Sequence, residues 1–435
     1  MKYHFIGIGG IGISGLAKYM HYRGHEVSGS DIRESHITHK LESEGLHVSI
    51  PQRAENIINP DCVVHSAIIK LDNPEVAAAK AKNIKVIPRR EALLEILYDS
   101  KVYAVAGAHG KSTTSAILSS IMQGSAIIGA ESKEFGSNVR YCEQSDVLIF
   151  EADESDGSFL NANAYCAIVT NAEPEHMEYY GYDEVLFYGS YRQFIENAPC
   201  RVLNGEDPFL GSLNVEATWL YPSKEITHIE YVLRDGEPHT KFQLKDIGTF
   251  EVWGFGEHIA LDAALAILTA LQTMGIEQIK TNLKNYKGIK KRFDIVGIDD
   301  HRVIIDDYGH HPTEIKATME SVLTYAKLKN MQHISAIWQP HKYSRTIDNL
   351  DAFKSCFQGV DELIILPVWA ASEMPRDIDF EHEFAHYNLV MADRIKREGN
   401  TLHVVKDDTI LKTLESGILV GFGAGDITYQ MRGEQ

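Results

Sequence analysis

Six times along this chain an apolar run of strand length stops at a cluster of polar residues, and that recurrence restricts the fold more than any other feature. KVYAVAG (101–107) leads into AHGKST, DVLIF (146–150) into EADESD, and AYCAIVT (164–170) into NAEPEH. Further on, RVIID (302–306) is followed by DYGHHP, HISAIW (333–338) by QPHKYSRT, and ILVGFG (418–423) by AGDI. The first hundred residues add strand-like KYHFIGI, HEVSGSD, CVVHSAI and KVIP. Between the last two, PEVAAAKAKN reads as a helix, with Pro74 in the first turn, where its missing N–H is harmless. Strand and helix alternating in this way imply parallel, doubly wound sheets. Ligands of such sheets bind beyond the carboxyl ends of the strands, so the polar clusters are expected to converge. Two polar-ended α/β units suggest an enzyme's cleft with a domain on either side.

The 435 residues suffice for two or three domains. A formal charge of −19 argues against wholesale wrapping of nucleic acid or an anionic membrane, while leaving room for a local basic pocket. The longest clearly apolar run, Leu363–Ala371, is about half of a bilayer span and contains Pro367. The opening MKYHFIGIGG lacks the zones of a signal peptide, and the five cysteines are odd in number and without CxxC spacing. Together these predict a cytoplasmic protein with reduced thiols.

Two glycine-rich turns stand out. Gly7, Gly9 and Gly12 form GxGxxG between a strand and the helical stretch ISGLAKYMHYRG. Glycines let the backbone approach a diphosphate whose charge the helix N-terminus meets, and Asp31, ending the next strand, could accept a ribose hydroxyl. A nicotinamide dinucleotide and a UDP-sugar are physically equivalent occupants, and a purely structural turn remains open. The second turn, Gly107-Ala108-His109-Gly110-Lys111-Ser112-Thr113, is more specific. Its N–H groups can cradle a triphosphate, Lys111 can bridge the terminal phosphates and Ser112 can ligate Mg²⁺. Val105 stands where the strict pattern has its first glycine.

Glu151, ending the second strand of this segment, can hold the same metal, and His176 follows the third; the two strands are expected to be neighbours. Asp153, Glu154 and Asp156 form an acidic run whose ordinary reading is a solvated loop.

With GIGGIGISGLA, GSD, HSAI, GAHGKSTT, EADESDGSFL, NAEPEHMEYYG, KKRFD, DDYGHHPTEI, QPHKYSRT and GAGDI in this order, the whole chain resembles the Mur ligases. The resemblance implies an α/β protein of three domains. These are an N-terminal Rossmann-like UDP-binding domain (1–100), a central P-loop ATPase-like domain (101–288) and a C-terminal Rossmann-like domain (289–435) that closes over the site. It implies ATP-dependent ligation of L-alanine to the lactyl carboxylate of UDP-N-acetylmuramic acid through an acyl phosphate, in peptidoglycan precursor synthesis. The cofactor would be Mg²⁺, with Mn²⁺ as a substitute, and the chain a monomer or weak homodimer with no nucleic-acid or membrane partner.

By position, the resemblance assigns Gly9, Gly10, Ile11, Gly12, Asp31, Ser66 and Asn138 to the UDP-sugar. It assigns Gly107 to Thr113, His258, Asp262 and the ribose-binding Asp307 to ATP, and Ser112, Glu151 and His176 to metal. Catalysis falls to Lys111, Glu151, His176 and Arg292, and the amino acid to His310, Lys342 and Arg345. Several positions depart from the family pattern. Ala108 and Ser112 stand where threonines are common, Lys342 where arginine is expected, and Ile259 and Asp262 in place of two asparagines. No lysine lies between Lys133 and Lys224, so the carbamylated lysine of sibling ligases is absent.

Overall fold

The computed structural model describes residues 1–434. Five short strands, β1 (Lys2–Ile6), β2 (Glu26–Ser30), β3 (His47–Ser49), β4 (Cys62–His65) and β5 (Lys85–Pro88), form one wholly parallel sheet in the order β3-β2-β1-β4-β5. The parallel arrangement follows from the connecting helices, of which Pro74–Ala81 is capped by the Asn73 side chain and opens on proline as expected.

The second sheet contains β6 (Lys101–Ala106), β7 (Ser125–Ser132), β8 (Ser137–Arg140), β9 (Val147–Glu151), β10 (Cys166–Val169), β11 (Cys200–Asn204) and β12 (Thr218–Leu220). Its order is β12-β11-β10-β6-β9-β7-β8, parallel apart from the β7–β8 pair. β6 therefore lies between β9 and β10. The strands bearing Glu151 and preceding His176 flank the phosphate-loop strand and do not touch each other, contrary to the neighbour expectation. Cys166 and Cys200 occupy paired positions of β10 and β11 with Cα atoms 4.3 Å apart, and they form a disulfide. The all-thiol expectation thus holds only for Cys62, Cys142 and Cys356.

Three strands absent from the sequence reading follow: β13 (Ile226–Arg234), β14 (Glu237–Leu244) and β15 (Gly248–Trp253), a sheet in that order. The last third holds β16 (Asp294–Ile298), β17 (Arg302–Asp307), β18 (Ile334–Trp338), β19 (Glu362–Ile365), β20 (Leu389–Met391), β21 (Arg394–Glu398), β22 (Thr401–Lys406), β23 (Thr409–Leu414) and β24 (Gly417–Phe422). A six-stranded sheet is ordered β16-β17-β24-β18-β19-β20, and β21-β22-β23 form an antiparallel sheet of their own.

The chain divides into two compact units. The first comprises residues 1–229, 242–252 and 258–287, and the second comprises the described residues of 230–241, 253–257 and 288–434. In the first, Phe5, Leu16, Ala104, Phe150, Phe159 and Tyr191 belong to one continuous apolar core. In the second, Trp338 is buried against Phe353, Phe357 and Phe384. Apolar burial on both faces explains why these strands read as unbroken hydrophobic runs.

Candidate active site

The helix Lys111–Met122 starts directly after β6, and the turn between them is set by contacts only glycine allows. Gly107 has φ +139, and a Cβ there would lie 2.0 Å from the Thr170 hydroxyl. Gly110 has φ +83, and its Cβ would lie 2.5 Å from Asp262 Oδ1. Asn171, just past β10, braces the loop from outside: its Oδ1 accepts from His109 N–H at 3.1 Å and its Nδ2 donates to His109 C=O at 2.9 Å. Thr170 and Asn171 are bracing residues that the sequence reading passed over, although one ends a strand it had marked and the other opens the polar cluster that follows.

Ser112 Oγ donates to Glu151 Oε1 at 3.0 Å, while Glu151 Oε2 accepts from Gly129 N–H at 2.5 Å. Burial raises the Glu151 carboxyl above its ordinary range, with the Gly129 N–H opposing. A hydroxyl and a carboxylate this close form the oxygen pair a hard divalent cation takes at a phosphate loop. Lys111 Nζ lies 3.0 Å from Glu154 Oε1 and 3.2 Å from Ala108 C=O, and it also donates to Gly107 C=O. Glu154 is fully buried, which corrects the solvated-loop reading for this residue. The Tyr180 hydroxyl fixes its backbone by donating to Glu154 C=O at 2.6 Å. His176 is exposed, with φ +53, and its ring and the carboxylates of Glu154 and Glu175 offer ligand atoms within 4.8 Å of one another.

Asp262 is buried on the helix Glu257–Ala270, one turn after the exposed His258. Burial holds its carboxyl well above the usual carboxylate range, with the Thr114 hydroxyl opposing.

At the N-terminal glycine loop, Asp31 Oδ2 accepts from Gly9 N–H at 2.8 Å, which ties the loop to the end of β2. Ser66 N–H donates to Ile6 C=O at 3.1 Å, and Asn138 Nδ2 donates to Ile11 C=O at 3.4 Å. Four of the seven residues assigned to the UDP-sugar, Gly9, Ile11, Asp31 and Asn138, are thus joined by these bonds around one helix start, while Ser66 is tied to the end of β1. Arg89, unmarked in the sequence reading, lies over this turn: a Cβ at Gly12 would sit 3.1 Å from its Nη2, and its Nη1 pairs with Asp156 at 3.5 Å. Beyond β4 and β5 a cavity of about 780 Å³ is lined by His65, Ile69, Lys70, Pro88 and Arg90, among others.

In the second unit, Arg292 Nη1 pairs with Glu314 Oε1 at 3.1 Å. Despite burial, Arg292 and His310 hold the Glu314 carboxyl down at about 2. Asp307 engages both carboxylate oxygens locally, accepting from Phe293 N–H at 2.8 Å and Gly309 N–H at 2.7 Å. Arg345 Nη1 lies 2.9 Å from His341 Nδ1, and His341 packs edge-on to His310 with ring centroids 5.8 Å apart. Burial and the Arg345 charge depress His341 to about 4. Lys342 sits beside them with φ +70, so His310, Lys342 and Arg345 gather as expected, with His341 as an unforeseen member.

The Rossmann-like sheets and the lysine–serine–carboxylate cluster at a phosphate loop define a nucleotide-using α/β enzyme. Residues 2–101 match the Mur ligase family, catalytic domain, and residues 291–412 the Mur ligase, glutamate ligase domain. The chain is 54% identical over 432 residues to a UDP-N-acetylmuramate–L-alanine ligase of Campylobacter curvus, covering 99% of both chains. It is 53% identical over 436 residues to one of Helicobacter pylori, covering 100% of this chain and 96% of the relative. The solved UDP-N-acetylmuramate-alanine ligase of Thermotoga maritima shares the fold at a TM-score of 0.80 and 22% identity, covering 99% of this chain and 97% of that one. The chain belongs to the Mur ligase family and is a ligase.

Proposed function

We propose that the protein joins L-alanine to the lactyl carboxylate of UDP-N-acetylmuramic acid at the expense of ATP, in peptidoglycan precursor synthesis. The observation that carries this reading is the end-to-end likeness, at 54% identity, to a ligase named for that reaction. The Lys111, Ser112 and Glu151 cluster supplies the chemistry the reaction needs. The lactyl carboxylate attacks the γ-phosphate, ADP leaves, and the alanine amine then attacks the acyl phosphate and expels phosphate. Phosphoryl transfer depends on positioning and charge neutralisation, which a lysine and two carboxylate-lined cation positions provide. Mg²⁺, with Mn²⁺ as a substitute, would be held by Ser112 and Glu151 and near His176, where it would neutralise phosphate charge.

The assignment divides the chain at 1–100 for the UDP-sugar, 101–288 for ATP and 289–435 for the amino acid. Gly9, Gly10, Ile11, Gly12, Asp31, Ser66 and Asn138 take the UDP-sugar. Gly107 to Thr113, His258, Asp262 and Asp307 take ATP, Arg292 takes phosphate, and His310, Lys342 and Arg345 take alanine. ATP and nucleotide sugars are cytoplasmic pools, which is where we place the reaction, carried out by a monomer or weak homodimer. Among the described residues no helix is long and apolar enough to cross a membrane. Phosphate release tests the reading: it should require ATP, UDP-N-acetylmuramic acid and L-alanine together, and release independent of either acceptor would refute it.

A further inference from the structure

An ammonium has three N–H donors, and Lys111 commits all three within the protein, to Gly107 C=O, Ala108 C=O and Glu154 Oε1. None is left for a phosphate until one contact breaks. The Glu154 contact is the one a ligand can exchange, because the two carbonyls belong to the loop that Lys111 itself follows. Glu154 is fully buried, and its Oε2 has no hydrogen-bond partner, an arrangement that costs free energy in a bare site. A phosphate arriving at Lys111 would place further negative charge beside this carboxylate, so the carboxylate must be neutralised as nucleotide binds. Glu175 and His176 stand next to it, with ligand atoms of all three residues within 4.8 Å.

We propose that Glu154 is a positioning residue that holds Lys111 off the phosphate site in the nucleotide-free protein and, once ATP takes Lys111, turns its carboxylate to a divalent cation shared with Glu175 and His176. This rests on the ATP-ligase reading above. The Tyr180 hydroxyl anchors the Glu154 backbone, so the exchange needs only a side-chain movement. One buried carboxylate thereby links filling of the phosphate loop to filling of the cation position, and nucleotide without metal binds against its opposition.

Calorimetric titration of the full chain with a non-hydrolysable ATP analogue, first in EDTA and then across a Mg²⁺ series, tests this. Glu154→Gln keeps the shape and removes the charge. It should tighten metal-free analogue binding by about tenfold and raise the Mg²⁺ concentration for half-saturation several-fold. Glu175→Gln, which does not reach Lys111, should raise the Mg²⁺ requirement alone. A general loss of structure would weaken binding in both conditions, so the opposed shifts are specific to the exchange. Unchanged or weaker metal-free binding by folded Glu154→Gln overturns the proposal. So does a Glu175→Gln Mg²⁺ curve that overlays the parent, which is informative even if Glu154→Gln does not fold. Failure of the parent to bind the analogue at all would refute the ATP reading itself, a distinct result.

Discussion

Lys111 is the one lysine or arginine in its loop, so in the proposed reaction its loss would remove a transition-state charge contact. Lys111→Ala should lower turnover by about 10²–10³-fold or more with the melting temperature retained, and near-normal turnover in the folded variant would contradict the phosphate role. Asp262 carries a different consequence. Because burial raises its folded pKa above the unfolded value, the stability it contributes is present below about pH 4 and is lost as pH rises toward the folded value. Asp262→Asn should therefore raise the melting temperature by an amount that grows with pH; a gain independent of pH contradicts the buried acid. A protonated acid both donates and accepts, as an asparagine amide does, so it matches adenine N7 as well as N6, whereas an ionised carboxylate only accepts from N6. At higher pH, where that proton is lost, Asp262→Asn should lower the KM for ATP by up to about tenfold. For His341, held near 4 by burial and then by Arg345, the neutral ring persists through neutral pH. NMR titration should show this midpoint moving upward in Arg345→Ala, and the same variant should raise the KM for L-alanine far more than that for ATP. A static midpoint would mean that the Arg345 charge does not reach the ring.

At the scale of elements, the site depends on three strand ends, with β6 between β9 and β10. Gly107→Ala would drive a Cβ to 2.0 Å from Thr170 at a backbone angle L residues avoid, so the loop must open and nucleotide binding should be lost while both sheets persist. Nucleotide affinity equal to the parent's would show the turn to be pliable. These strand ends were legible in the sequence because strands buried on both faces read as continuous apolar runs. β13, with its polar residues Thr227, His228 and Glu230, and β23, exposed from Thr409 to Lys412, carry no such run and were missed. The exchange of neighbours at β6 was also illegible, since strand order is fixed by tertiary packing. Glu154 was hidden for a related reason: an acidic run looks solvated, and only the fold buries one member against Lys111. Arg89 likewise acquires meaning from the distant Gly12 and Asp156, and His341 from the distant His310 as well as from Arg345 four residues on.

At the scale of the whole molecule, the proposed reaction asks a chain of net charge −19 to handle three anionic or carboxylate-bearing substrates. In that proposal the binding falls to local cations and N–H groups set against an acidic background: the loop amides, Lys111, Arg292 and Arg345. The most direct test of this account follows the oxygen atoms. UDP-N-acetylmuramic acid labelled with ¹⁸O in its lactyl carboxylate is incubated with ATP, Mg²⁺ and L-alanine, and the products are weighed by mass spectrometry. Activation as an acyl phosphate transfers a carboxylate oxygen to phosphorus, so the account predicts ADP, the alanyl adduct, and inorganic phosphate carrying one ¹⁸O. Unlabelled phosphate, or AMP with diphosphate, would contradict it.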